Sequence, residues 1–211
     1  MDPRDLDDFM RRTSNMLNAL EARILDLEER EGLAVPAYDD IQVGISQLRI
    51  PPSQAPTWRS WDYGISGGVQ FSVLGFDVNN HVDLFIQSSH AMRLRSVLDY
   101  HMHWSIPSNS AGDRFQIQID AIAAGVDESF AVVPGSPFTV ERLLDGTESG
   151  QHKILDLADL DGVNTTVSTA YILEFTRIAA SSNEYGPELY LVFTDGHYIL
   201  DALGSRLEYS K

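Results

Sequence analysis

Two histidines one residue apart, His101 and His103, lie in the stretch Asp99-Tyr100-His101-Met102-His103-Trp104-Ser105. On a β-strand, side chains alternate between faces. Asp99, His101 and His103 then share one face, and Leu98, Tyr100, Met102 and Trp104 share the other. Such a histidine pair can present both imidazoles to one ion, which is metalloenzyme chemistry. That chemistry also asks for a carboxylate a few residues on and a third histidine from a later strand. Trp104, Ser105, Ile106, Pro107 and Ser108 follow instead. Asp99 could substitute as a ligand and His197 could be the third histidine, although Gly196-His197-Tyr198-Ile199-Leu200 lacks the expected second motif. The competing reading makes the histidines surface or inter-subunit groups that bond across strands and do no chemistry. We adopt that reading as the expectation.

Other chemistries find less footing. No Gly-x-Ser-x-Gly is present, and no order of Ser, His and Asp marks a hydrolase. The segment Asp156-Leu157-Ala158-Asp159-Leu160-Asp161-Gly162-Val163-Asn164 lacks the alternation and closing Glu of a calcium loop. Gly64 to Gly68 lacks the Lys and following helix of a phosphate cradle. The chain has no cysteine, which removes disulfides, thiolate ligands and Cys nucleophiles. Its net charge of −16 argues against nucleic acid and anionic membranes, and for a soluble protein or a basic partner. No apolar run approaches the roughly 20 residues that span a bilayer. Met1-Asp2-Pro3-Arg4-Asp5 is not the start of a signal peptide, so assembly in a cytoplasm is expected. No catalytic residue and no cofactor is expected.

Three regions must position whatever the chain uses. In residues 1–33, Leu6, Met10, Leu17, Leu20, Ile24 and Leu27, with Thr13, recur at spacings of three and four. This is a narrow heptad seam, predicting a coiled-coil helix that associates with copies of itself, as a trimer or dimer. Gly32 and Pro36 end it. Residues 34–64 are broken by Pro36, Pro51, Pro52 and Pro56 and carry Trp58 and Trp61. They read as an extended arm, with short extended pieces possible at 41–45 and 47–50. The arm is expected to dock on its own domain, a neighbouring subunit or a larger assembly through Tyr38, Ile50, Trp58 and Trp61, with both tryptophans covered. Residues 65–211 read as about eight strands: 69–76, 81–87, 97–105, 114–122, 138–143, 152–157, 170–178 and 188–200. Turn residues separate them, and longer crossovers fall near 125–135 and 158–168. The fold class expected is mainly β, an antiparallel β-sandwich of jelly-roll type preceded by the helix and the arm.

Three stretches of the chain also resemble a known family. Asp99-Tyr100-His101-Met102-His103-Trp104-Ser105 resembles the D-x-H-x-H-W-S strand of a family of tailed-bacteriophage virion proteins. Tyr190 to Lys211, with Asp195-Gly196-His197-Tyr198 and the closing Gly204-Ser205-Arg206-Leu207-Glu208-Tyr209-Ser210-Lys211, is similar to that family's ending. Asp39-Asp40-Ile41 is similar to its N-terminal arm. The likeness spans roughly residues 38 to 211. It implies a β-sandwich virion structural protein that decorates or cements a capsid, or forms a head fibre or tail appendage, with no enzyme activity and no cofactor. The function expected is a trimeric capsid decoration or cement protein that binds itself and the major capsid protein or another virion protein. One alternative is a trimeric head-spike or tail-fibre subunit with a distal knob. The other is a cupin-like metalloenzyme using His101 and His103.

Overall fold

The computed structural model describes residues 38–62, 70–93, 96–160 and 168–200. The seam residues Leu6, Met10, Leu17, Leu20, Ile24 and Leu27 lie outside the described residues, as does the closing 201–211 segment. Eleven strands are described: β1 (Tyr38–Gly44), β2 (Thr57–Asp62), β3 (Gln70–Phe76), β4 (His81–Gln87), β5 (Leu98–Ser105), β6 (Arg114–Ala124), β7 (Ala131–Val132), β8 (Phe138–Leu143), β9 (Lys153–Leu160), β10 (Ala170–Ile178) and β11 (Leu189–Ile199).

They form two antiparallel sheets packed as a β-sandwich. The first runs β2-β3-β11-β5-β9, with β1 also paired to β11. The second runs β4-β10-β6, and β6 then pairs with β7 near its end and with β8 near its start. β11 is long enough to hold two partners on one edge. β3 meets Leu189 to Leu191, and β1 meets Phe193 to Ile199.

Strict alternation explains the core. Phe115, Ile117, Ile119 and Ala121 of β6 are buried on one side, with polar Gln116, Gln118 and Asp120 opposite. Leu98, Tyr100, Met102 and Trp104 of β5 face them from the first sheet. The Trp104 ring meets Phe115 edge-on at 4.8 Å, and Tyr100 meets Phe175 of β10 at 5.8 Å. The buried Tyr100 hydroxyl is 2.8 Å from Thr194 Oγ1, and burial pushes its ionisation far above the ordinary phenol range.

One charged group is enclosed at the end of the sandwich. Arg177 of β10 is 1% exposed and donates to the carbonyls of Phe76, Pro187 and Tyr185 and to Glu184 Oε1. Its planar fork ties the loop between β10 and β11 back to the end of β3.

The eight predicted strands are all present with boundaries close to those expected. Much of the expected arm is not an arm. Its residues 38–44 and 57–62 are β1 and β2, ladder strands of the first sheet, and the compact unit begins at Tyr38. Pro51, Pro52 and Pro56 fall in the connection between the two strands, so they do not prevent pairing on either side. Ile50 packs partly against the core, while Tyr38 is exposed. The two tryptophans part company. Trp61 is buried, its ring edge-on to Tyr190 at 5.7 Å, whereas Trp58 is 49% exposed in the single chain, so its own domain does not cover it. Three residues apart on one strand, they necessarily point to opposite faces.

Candidate functional site

Ladder register assembles a histidine–aspartate cluster on the outer face of the first sheet. Asp195 of β11 pairs with His101 of β5, Phe193 with His103, and His197 with Asp99. On the far edge of β11, Asp40 of β1 pairs with His197. On the far edge of β5, Asp156 of β9 pairs with His101. Four strands therefore bring three histidines and four carboxylates onto one face. Two irregularities tune the alignment, one in β11 between Leu191 and Phe193 and one in β5–β9 between Tyr100 and His101.

Asp195 is the hub, with its side chain 5% exposed. Its Oδ1 lies 3.0 Å from His103 Nε2 and 3.7 Å from His101 Nδ1, and its Oδ2 lies 3.3 Å from His197 Nε2. The outward nitrogens face further carboxylates. His101 Nε2 is 3.1 Å from Asp99 and 3.4 Å from Asp156, and His197 Nδ1 is 3.5 Å from Asp40. The rings of His101 and His197 meet edge-on at 4.6 Å.

His103 plays a different part. It is stacked on Phe193 at 3.8 Å, and its Nδ1 is 2.6 Å from His152 Nε2. Burial pushes its pKa below the ordinary imidazole value, against the pull of Asp195. Its Nε2–H donates to Asp195, because a carboxylate only accepts, while Nδ1 shares a hydrogen bond with His152.

His101, Asp195 and His197 each offer one ligand atom, all within 4.8 Å of one another, which is close enough to share an ion after small rotations. Sequence reasoning paired His101 with His103 and expected both on an open face. The structure instead joins His101 to Asp195 and His197, and both predicted histidines are buried. Asp195, Asp40, Asp156 and His152 were missed as site residues. Asp195 takes its place from ladder register, and Asp40 and Asp156 join through β1 and β9, so none of these was signalled by local spacing.

The outer face of the second sheet carries a different feature. Phe85, Ile172, Ile122 and Val132 pair in sequence across β4, β10, β6 and β7 to make an apolar row. Beside it runs an acidic row of Asp83, Glu174 and Asp120. Together with Arg49 and Pro137 they line an open groove of about 630 Å³. Phe85 is 54% and Val132 66% exposed.

No protein-family model matches the chain, and no curated protein matches it. Among solved structures, it is similar to a family two carbohydrate esterase from Cellvibrio japonicus at 11% identity and TM-score 0.37, covering 84% of this chain and 36% of that one. It is also similar to a family 35 carbohydrate binding module from Clostridium thermocellum at 9% identity and TM-score 0.38, covering 75% and 97%. A third is the CBM22-1–GH10 portion of the Clostridium thermocellum xylanase 10B, at 7% identity and TM-score 0.39. The chain spans about a third of the esterase and 28% of the xylanase structure. At this level of overlap none of these likenesses bears on ligand or activity.

Proposed function

We propose that the chain is a non-catalytic structural protein of a tailed-phage virion, a trimeric decoration or cement protein whose sandwich is a jelly roll. The observation that carries this reading is where the three family-like stretches fall. Asp39-Asp40-Ile41, Asp99 to Ser105 and the 190–200 part of the ending occupy β1, β5 and β11, three neighbouring strands. Asp40, Asp99, His101, His103, Asp195 and His197 all come from those stretches and make one cluster. On this reading, the described parts of the three family-like stretches fall together in one place in the fold.

Strand order supports the jelly-roll reading. β3-β11-β5-β9 and β4-β10-β6-β8 are the two four-stranded halves of a double Greek key. The groove on the second sheet supports a binding role. An apolar row flanked by carboxylates suits a partner surface that combines apolar and basic side chains, and the overall charge of −16 repels other surfaces. Three copies held by the N-terminal heptads would add modest contacts by avidity at a local three-fold position of a shell.

The test is to add purified full-length protein, and protein lacking residues 1–33, to shells of the phage that encodes it and to image the particles. Full-length protein at three-fold sites on the shell, with the truncated form still loading at reduced occupancy, supports the decoration reading. Density confined to the portal or tail, lost with the helix, replaces it with a spike or fibre subunit. Binding to neither rejects a virion role.

A further inference from the structure

The geometry points to a divalent transition-metal site formed by His101 Nδ1, the Asp195 carboxylate and His197 Nε2, which clips β5 to β11. This inference stands independently of the virion reading. It also differs from a site made by the His101–His103 pair, because His103 acts here as a donor to Asp195 and not as a ligand.

Charge balance makes the first argument. Asp40, Asp99, Asp156 and Asp195 surround His101 and His197, and among the described residues no Lys or Arg lies within ion-pair distance of any of the four. Asp195 is buried, where an uncompensated carboxylate is costly. A bound dication supplies the missing positive charge.

Ring orientation makes the second. A histidine that ligates a metal through one nitrogen characteristically donates its other N–H to a carboxylate, which fixes the tautomer and the ring. Each candidate has a carboxylate within ion-pair distance of its outer nitrogen, where that carboxylate could take the outer N–H once the inner nitrogen binds an ion. His101 turns Nε2 to Asp99 and Asp156 and leaves Nδ1 toward Asp195. His197 turns Nδ1 to Asp40 and leaves Nε2 toward Asp195. Each ring faces carboxylates on both sides, and the inner nitrogens of both rings turn toward the one Asp195 carboxylate, where a single ion can be shared.

Spacing makes the third. An ion held by nitrogen and oxygen at about 2.0–2.1 Å in tetrahedral geometry sets ligand atoms about 3.4 Å apart. His101 Nδ1 is 3.7 Å from Asp195 Oδ1 and His197 Nε2 is 3.3 Å from Oδ2. One ligand atom of each residue lies within 4.8 Å of the other two, so a carboxylate engaged through both oxygens or turned slightly meets that spacing. Two imidazoles and one carboxylate suit Zn²⁺, Ni²⁺ or Fe²⁺ better than Mg²⁺ or Ca²⁺, which take oxygen ligands. Three protein ligands leave a coordination position for water or for a group of a partner.

The test uses the full chain stripped with chelator, titrated with Zn²⁺ by calorimetry and with Co²⁺ by visible absorption. The expected result is one ion per chain, a tetrahedral-type Co²⁺ spectrum, and a rise in Tm with Zn²⁺ that chelator reverses. His197→Ala, at a half-exposed position, should weaken binding at least about 100-fold while the circular dichroism spectrum of the folded protein is kept. Asp40→Asn, which removes only the outer acceptor, should weaken binding by about 10–100-fold. His152→Gln should bind as the parent does. No stoichiometric binding by the parent, or equal binding by parent and His197→Ala, overturns the proposal.

Discussion

Tyr100 lies directly across the ladder from Gly196, and its ring fills the space that a side chain on Gly196 would need. A Cβ built there would come within 2.9 Å of Tyr100 Cδ2 and 2.8 Å of Leu98 Cδ1, both on residues with no exposed surface. The glycine lets the core close beneath the Asp195–His197 pair, so packing and site share one strand.

Gly196→Ala should therefore destabilise the sandwich by about 1–3 kcal/mol, the usual cost of overpacking a tight core. Urea unfolding of parent and variant measures it, and an unchanged midpoint would show that Leu98 and Tyr100 relax freely.

Thr194→Val should cost about 1–3 kcal/mol, because it strands the buried Tyr100 hydroxyl that Thr194 satisfies. Adding Tyr100→Phe should recover part of that loss. A double-mutant cycle with no coupling between the positions would contradict the pairing.

Arg177→Ala should cost about 3–5 kcal/mol, because Glu184 and three main-chain carbonyls lose their donor together. Arg177→Lys should rescue only a minor part, since an ammonium cannot reproduce the planar fork. Equal denaturation midpoints for Lys and Arg would refute that account.

Glu174→Gln should stabilise the protein by about 0.2–1 kcal/mol, because Glu174 stands between Asp83 and Asp120 in one cross-strand row. The gain should shrink in high salt, which screens exposed charges. If the substitution instead lowers Tm at low salt, the row is not under repulsion. On shells, the same change or Phe85→Ser should weaken loading without loss of folding.

Replacing Leu20 and Ile24 together by Asp should lower the oligomer mass measured by light scattering, since the predicted seam would then bury charges. An unchanged mass would place association elsewhere in the chain.

The sandwich was legible wherever one face is buried. Phe115, Ile117, Ile119 and Ala121 alternate with polar residues, and that period alone fixes β6 as a strand and names its core face. β1 showed only in part, as a possible extended piece at residues 41–45, and β2 was hidden, for a physical reason. Tyr38-Asp39-Asp40 and Thr57-Trp58-Arg59-Ser60 are mostly exposed and show no apolar period, and the partner of β1 is distant in sequence although β2 pairs with the next strand. The cluster was half legible. His101 and His103 announce themselves by spacing, and His197 could be suggested as a partner. Asp195 could not be, because its role comes from ladder register, and Asp40 and Asp156 join it only through β1 and β9.

The pairing of β1 with β11 also has a mechanical side. Tyr38 is opposite Ile199, so the start of β1 and the end of β11 lie at the same end of this ladder, and the next rungs are Asp39 with Tyr198 and Asp40 with His197. Tension applied through both flanking segments would open these rungs one after another, as a zipper opens, rather than load them all at once in shear. The third rung carries Asp40 and His197, so the histidine–aspartate cluster sits where it can catch the fork before the rest of the sandwich is exposed to the pull.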